Sequence, residues 1–246
     1  SKLSEIADAA DHYSEQLVTL KNVPTYYFHP DPPKNKYAAS DYGLPSDVRL
    51  YVCPQTLFKF HPEFDDILGE VLRRDPKGRL ILIDDDRDLS WNKLLLQRFY
   101  QSFPEVADNV IFIPRMAHEK FLGLLVIADA LLDIPSFSGG NSSLEAFAVG
   151  APIVTWPQDF MRGRVTGAFY KQMGLSDLIA ADAESYLNLA CQLAQDEDFK
   201  RRMQNDIKAN AHKLYERLDT VQEMETFFIT AYEAWQAGDT LTNPTI

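Results

Sequence analysis

The sequence is poor in cysteine and has no long apolar run, and each shortage excludes a class of protein. Its 246 residues include two cysteines, Cys53 and Cys191, which lie far apart and lack CxxC spacing. This excludes a disulfide framework and a zinc site built from cysteine pairs. No apolar stretch approaches the roughly 20 residues that a membrane span needs, and no basic segment followed by an apolar one opens the chain. We therefore expect a soluble cytoplasmic protein.

Positive charge is also scarce. The chain has 24 Lys and Arg residues against 36 Asp and Glu residues, which gives a formal net charge of −12 at pH 7. Such a surplus of negative charge argues against nucleic acid and acidic membranes as partners. It does not argue against a small anionic ligand, because a site for one is built locally. The hydrophobic share of 46% is ample for a packed core.

What the sequence does contain is a regular alternation of apolar runs and helical stretches. Five apolar runs predict strands at residues 49–53, 79–83, 110–113, 130–134 and 152–156. Helices are predicted between them at 62–74, 91–103, 118–128 and 142–149, and later at 184–195, 198–215 and 220–236. This alternation predicts an α/β fold, a Rossmann-like parallel sheet with helices on both faces and a helical C-terminal end.

The two ends of the chain do not share this rhythm. Residues 1–46 contain short helical and extended pieces followed by prolines at 30, 32 and 33, which is typical of the tail of a preceding domain running into a linker. We expect the α/β lobe to cover 47–238 and the polar residues 239–246 to be frayed. Because the chain begins with Ser1 rather than Met, we also expect a piece of something longer.

One Pro/Gly loop lies between an apolar run and the start of a predicted helix. Its glycines, Gly139 and Gly140, carry no side chain, so a phosphate could approach the backbone closely. The backbone N–H groups of the helix that Asn141 and Ser142 open have no intrahelical partner, and the helix dipole there favours negative charge. Glu145 follows one turn later, within reach of a ribose. The loop predicts a phosphate site, and an ordinary helix cap is the alternative.

Further candidates follow other strands, because ligands bind an open parallel sheet at the carboxyl ends of its strands. Lys59, after the first strand, could offset phosphate charge, although it could equally be a surface lysine. After the third strand, Met116 could pair through its backbone with a base edge and Phe121 could stack on the base. His118 could contact phosphate or act as an acid or base, and a helix-capping histidine is the alternative.

Two charged clusters remain open to more than one interpretation. Arg162 and Arg164 follow the fifth strand; one is expected at the phosphate and the other in a structural ion pair, and Arg164 is the candidate that we name for binding. The acidic run at 84–88 contains an Asp-x-Asp, a spacing that can hold a divalent metal. A phosphoacceptor site is a further alternative. We favour a solvated loop and expect no metal site.

Taken in order, these motifs resemble the C-terminal catalytic lobe of the O-GlcNAc transferase/SPINDLY-like glycosyltransferases, particularly their bacterial members. Each motif alone is weak, but their order is specific, and the resemblance covers residues from about 12 to 236. It is carried by the segments 53–65, 114–119, 139–141, 144–146, 150–155, 162–164 and 173–175.

The resemblance implies a GT-B arrangement, in which two Rossmann-like lobes bind a sugar nucleotide mainly through the C-terminal one. It implies inverting transfer of a sugar, N-acetylglucosamine from UDP-GlcNAc, to Ser/Thr hydroxyls of an acceptor protein, with no cofactor and no essential metal. The N-terminal lobe and the helical repeats of such enzymes would then be partners that this chain lacks.

The resemblance also assigns roles to residues. Lys59 would be the catalytic lysine that steadies the leaving diphosphate. The phosphate turn, ribose, base and remaining nucleotide contacts would come from Gly139, Gly140, Asn141, Ser142, Glu145, Met116, Phe121, His118, Thr56 and Arg164. Four of these depart from the animal enzymes, which have histidine for Gly140 and Phe121, aspartate for Glu145 and glutamine for Thr56. These departures leave the identity of the donor open.

Three hypotheses follow. The favoured one is the donor-binding lobe of a protein O-glycosyltransferase. The second is a nucleotide-binding scaffold module without catalysis, and the third is a GT-B-fold nucleotide-sugar epimerase. An epimerase would form product without any acceptor. Loss of activity on Lys59→Ala in the full-length parent would support the first hypothesis and make the scaffold hypothesis untenable.

Overall fold

Five parallel strands form one sheet in the computed structural model, which describes residues 1–84, 90–239 and 241. The strands are β1 (Arg49–Cys53), β2 (Gly78–Ile83), β3 (Val110–Ile113), β4 (Ala130–Leu132) and β5 (Ile153–Val154). Their order in the sheet is β3-β2-β1-β4-β5, and every pair is parallel. The chain therefore starts at the centre of the sheet, moves to one edge, and returns to build the other half. The predicted α/β fold is confirmed.

Eight α-helices accompany the sheet within the described residues. They are α1 (Asp65–Arg74), α2 (Ser90–Ser102), α3 (His118–Ile127), α4 (Asn141–Ala148), α5 (Val165–Met173), α6 (Ala183–Gln195), α7 (Glu197–Asn210) and α8 (Leu218–Ala237). Helix α1 packs against α2 and α6, and α3 packs against α4. With the right-handed crossovers that are the rule between parallel strands, this strand order puts α1 and α2 on one face of the sheet and α3 and α4 on the other, because the order reverses at β1.

The centre of the sheet is buried on both faces. Tyr51, Val52 and Cys53 of β1 have no exposed surface, nor do Ile81 and Leu82 of β2. Strands covered on both sides read as continuous apolar runs, which is why the sequence revealed them. Both cysteines are free, and burial raises the pKa of the Cys53 thiol, as expected for a thiol that serves only in packing.

The last two strands and two helices are shorter than predicted. The helix predicted over 62–74 begins with a 3-10 turn, Pro62–Phe64, and α1 starts only at Asp65. Strand β4 ends at Leu132 because its chain then turns into the loop toward α4, although the Asp133 amide still donates to the carbonyl of Val154 at 3.0 Å. Beyond β5, Thr155 pairs with Ile179 as an isolated bridge instead. The helix predicted over 198–215 ends as α7 at Asn210 and continues as a 3-10 turn.

The first 46 residues are mostly irregular and lie along the lobe. Two short 3-10 turns, Ala9–His12 and Ala39–Tyr42, are their helical content. The carboxylate of Glu223 on α8 accepts hydrogen bonds from the backbone N–H groups of Lys21 and Asn22. The predicted boundary at residue 46 remains a prediction. Of the tail predicted to be frayed, residues 240 and 242–246 lie outside the described residues.

Helix α8 exposes an apolar stripe. Phe228, Ile229, Tyr232 and Trp235 are all more than half exposed, whereas the buried positions of α8 are Thr220 and Glu223. Across the described part of the chain, no helix combines the length and the apolarity that crossing a membrane requires.

Candidate nucleotide-binding site

A cleft of about 940 Å³ opens at the carboxyl ends of the strands. Ligand sites in proteins commonly enclose about 300–1,000 Å³, so this cleft can hold a molecule as large as a nucleotide sugar. Its walls come from the loops after β1, β3 and β4, the first turns of α3 and α4, and the turn that precedes α5. This is the edge at which an open parallel sheet binds ligands.

Most of the residues predicted from the sequence lie together in this cleft. Those that line it are Thr56, Lys59, Met116, His118, Phe121, Gly140, Asn141, Ser142 and Glu145. Gly139 and Arg164 were also predicted, but they are not among its lining residues. The structure thus shows that three separate segments of the sequence meet at one place, and the roles of these residues in binding remain predictions.

The first turn of α4 is open toward the cleft. Its N-cap is Gly140, which offers no side chain to cap the helix, and a Cβ atom at this position would meet nothing within 4 Å. The carbonyl of Gly140 accepts from the amides of Ser143 and Leu144, both at 3.1 Å. An ordinary side-chain cap by Asn141 or Ser142 is therefore not what the structure shows. The start of α4 keeps the properties that favour an anion.

Close neighbours favour glycine at position 139 for a structural reason. A Cβ atom here would lie 2.2 Å from Ser143 Oγ and 2.7 Å from Gln55 Nε2, closer than any side chain could tolerate. Its amide donates to Asp133 Oδ1 at 2.7 Å. Gly139 therefore allows the loop to press against its neighbours, and it acts from behind the cleft wall.

The buried carboxylate of Asp133 holds the loop between β4 and α4 in place. Asp133, 1% exposed, follows β4 and accepts from Ser138 Oγ and Thr155 Oγ1 on one oxygen, each at 2.7 Å, and from the Gly139 amide on the other. Burial raises the pKa of the Asp133 carboxyl, and these hydrogen bonds act in the opposite direction. Three donors converging on one carboxylate fix the path of the loop from β4 to α4.

A chain of hydroxyl groups extends this network into α5 and α4. Thr166 Oγ1, at the start of α5, lies 2.8 Å from both Ser138 Oγ and Ser143 Oγ, and the Thr166 amide donates to Ser138 Oγ at 2.9 Å. Ser138, Ser143 and Thr166 are all buried. The beginning of α4 is thus tied to α5 as well as to β4.

Lys59 lies in the part of the cleft wall that the loop after β1 forms. Its ammonium donates to Gln55 Oε1 at 3.1 Å and lies 4.2 Å from the centroid of the Phe137 ring. Burial lowers the pKa of Lys59, and the nearby Asp133 and Cys53 partly oppose this shift. Since no carboxylate pairs directly with Lys59 among the described residues, its positive charge faces the cleft largely uncompensated.

Glu145 and His118 form a pair at the other end of the cleft. His118 Nε2 lies 2.8 Å from Glu145 Oε1, and the Glu145 side chain is the more buried of the two. Tyr27, from the N-terminal segment, approaches the same carboxylate: burial and then the proximity of Glu145 raise the pKa of Tyr27. His118 therefore lies beside Glu145, the residue predicted to bind ribose, and helps to orient its carboxylate.

The two arginines after β5 have separate surroundings. Arg164 donates through Nε to the carbonyl of Ser4 and through a terminal nitrogen to the carbonyl of Gln158, at 2.9 and 2.6 Å. Arg162 lines the cleft, with its guanidinium 4.6 Å from the centroid of the Phe160 ring. Arg164 is thus tied to two backbone carbonyls instead of an ion pair, and Arg162 is the arginine that lines the cleft.

The acidic run after β2 is described only at its first residue. Asp84 lines the cleft and accepts from Asn92 Nδ2 at 2.6 Å, while residues 85–88 lie outside the described residues. Over the described ranges, no group of three His, Cys, Asp or Glu side chains is placed to hold a metal ion.

Comparison with known proteins identifies the family. Residues 34–224, well over half of the chain, match the family described as Glycosyl transferase family 41. The chain belongs to glycosyl transferase family 41. The resemblance found in the sequence is thereby confirmed. A relative in Arabidopsis thaliana, the probable UDP-N-acetylglucosamine–peptide N-acetylglucosaminyltransferase SEC, is 26% identical in an alignment of 238 residues that covers 92% of this chain and 24% of that protein.

Solved structures agree on the fold. A mutant of the O-GlcNAc transferase of Thermobaculum terrenum superposes with a TM-score of 0.78 at 23% identity, covering 92% of this chain and 43% of that one. HepE of Anabaena, in complex with UDP and glucose, gives a TM-score of 0.54 at 14% identity over 77% of this chain and 50% of that one. This family 41 chain thus has the fold of a GT-B C-terminal lobe. It spans less than half the length of the Arabidopsis and T. terrenum proteins.

Several residues of this family 41 site could not be singled out from the sequence. Gln55 and Asp133 stood in segments that the sequence analysis had already marked, one beside Thr56 and one at the end of a predicted strand. A polar residue at the carboxyl end of a buried strand was the available signal. Phe137 and Thr166 gave none, because their contacts join segments far apart in the chain.

Replacing Asp133 by asparagine should loosen the loop. If the amide oxygen of Asp133→Asn takes the bonds from Ser138 and Thr155, its NH₂ group faces the Gly139 amide, donor against donor. We expect a loss of about 2 kcal/mol in the free energy of unfolding, measured by urea denaturation, and faster hydrogen exchange at the Gly139 amide.

Asp198→Asn serves as the matched control, because Asp198 is exposed and pairs only with Arg201 on the surface of α7. Its effect should stay within about 0.5 kcal/mol. Equal stability of the Asp133 and Asp198 variants, with unchanged exchange at Gly139, would show that the buried carboxylate does not fix the loop.

Proposed function

We propose that this chain is the donor-binding lobe of an inverting protein O-glycosyltransferase that uses UDP-GlcNAc. The observation that carries the proposal is the meeting of Lys59 and the uncapped first turn of α4 in one nucleotide-sized cleft of a family 41 chain. The Arabidopsis relative, named as a probable UDP-N-acetylglucosamine–peptide transferase, supports both the donor and the class of acceptor.

The diphosphate is proposed to lie between Lys59 and α4. Departure of a nucleoside diphosphate from the sugar develops negative charge on the leaving oxygen, and fixed donors at that point stabilise the transition state. The backbone N–H groups of Asn141 and Ser142 and the ammonium of Lys59 are such donors. They would do this without a metal ion or a cofactor.

The nucleoside is proposed to extend toward α3. The Glu145 carboxylate is already oriented by His118 and can accept hydrogen bonds from ribose hydroxyls. Phe121 and Met116, which line the adjacent wall, offer a ring for stacking and a backbone edge for the base. Binding of UDP in the Anabaena neighbour of the same fold supports uracil as the base.

Transfer needs more than this lobe. A glycosyltransferase must also place the acceptor hydroxyl, accept its proton and exclude water. The chain spans 24% of the Arabidopsis protein and 43% of the T. terrenum chain. We propose that the acceptor contacts and the proton acceptor come from the remainder of the protein, and that the isolated chain binds the donor but transfers sugar poorly.

Calorimetric titration tests the site directly. With no added metal, this chain should bind UDP saturably and more tightly than GDP. Lys59→Met, which keeps the apolar stem but removes the charge, should weaken UDP at least tenfold and leave uridine unchanged, because only UDP carries the diphosphate. No binding of either nucleotide would overturn the proposal, and equal binding of UDP by the Lys59→Met chain would remove Lys59 from the site.

The affinity for UDP should also fall on the alkaline side of neutrality. Only the protonated ammonium attracts the diphosphate, and burial lowers the pKa of Lys59 below its ordinary value. Raising the pH through that lowered pKa removes the charge, so the affinity for UDP should weaken at a lower pH than the titration of a free lysine, with a pKa of about 10.4, would require. The Lys59→Met chain should show no such slope. An identical slope in both chains would assign the effect to another group.

A further inference from the structure

Gln55 connects Lys59 to the start of α4. Its side chain, in the loop after β1, is only 6% exposed. Its Nε2 lies 2.8 Å from Ser142 Oγ at the start of α4, and its Oε1 lies 3.1 Å from Lys59 Nζ. One buried amide therefore joins the Lys59 ammonium to the Ser142 hydroxyl, and both of these residues line the cleft.

The chemistry of the two partners fixes which way the amide points. A lysine ammonium can only donate, so the atom facing Lys59 must be the amide oxygen. The NH₂ group then faces Ser142, and in that bond the hydroxyl oxygen is the acceptor. The single hydrogen of the Ser142 hydroxyl is thereby free to be donated to another group, and the space beside Ser142 is the cleft.

Neutrality is the second useful property of a glutamine here. A carboxylate at the same position would hold Lys59 as firmly, but it would cancel the positive charge. It would also accept the hydrogen of Ser142, which would turn the hydroxyl into an acceptor on its other side. The amide instead orders both groups as donors and leaves the charge of Lys59 intact.

We propose that Gln55 is a positioning residue for the diphosphate, which it serves by presenting the Ser142 hydroxyl and the Lys59 ammonium as two donors at a fixed separation. The inference rests on the proposed function, since it assumes a nucleoside diphosphate in the cleft. It adds that recognition of the diphosphate depends on a residue that need not touch it.

The test compares UDP with uridine in two variants of the whole chain. Gln55→Met keeps the length of the side chain but makes neither bond, and it should weaken UDP about tenfold. Gln55→Glu adds the competing charge and should weaken UDP about a hundredfold. Uridine, which has no phosphate, should bind both variants as it binds the original chain. A purely structural role would instead lower the affinity for uridine as well, and equally in both variants.

Two controls keep the result interpretable. Gln97→Met replaces an exposed glutamine on α2 and should change neither affinity. Adding Ser142→Ala to Gln55→Met should cost less UDP affinity than Ser142→Ala costs alone, because the hydroxyl has already lost its orientation. Strict additivity, or an unchanged ratio of UDP to uridine affinity in the Gln55 variants, would overturn this inference alone. Failure of the original chain to bind UDP would overturn the proposed function together with it.

Discussion

The site depends on the carboxylate of Asp133 at the end of β4. Burying a carboxyl group is costly unless donors surround it, and here two hydroxyls and one backbone amide do so. Because one of these donors is the Gly139 amide, satisfying the carboxylate also sets the course of the loop that opens α4. The loop cannot move without leaving the carboxylate short of a partner, so the fold holds the loop in the shape that we propose for diphosphate binding.

The electrostatics of the cleft oppose those of the whole chain. A net charge of −12 would repel a nucleoside diphosphate at long range, yet the cleft presents Lys59, Arg162 and the start of α4. Salt screens the distant charges within about 10 Å at 0.1 M ionic strength, so the local groups decide binding. Gln55 preserves this local positive charge, because its neutral amide orients Lys59 without cancelling the charge.

The sheet and most of the cleft could be predicted from the sequence because their signals are local. Buried parallel strands are continuous apolar runs, and the glycines before α4 mark a turn that exposes backbone amides. Gln55 and Asp133, which were not predicted as site residues, owe their position to tertiary contacts, and so does the difference between Arg162 and Arg164. Nothing local distinguishes Arg162 from Arg164; the difference arises only when Arg164 meets the carbonyls of Ser4 and Gln158.

A crystal structure of this chain with UDP would test the central claim most directly, namely that the loop held by Asp133 is a ready-made diphosphate site. The account predicts phosphate oxygens within hydrogen-bond distance of the Asn141 and Ser142 amides and of Lys59 Nζ, ribose at Glu145, and the Asp133–Gly139 bond unchanged from its present 2.7 Å. A diphosphate bound elsewhere, or a loop that must leave Asp133 to admit it, would contradict the account.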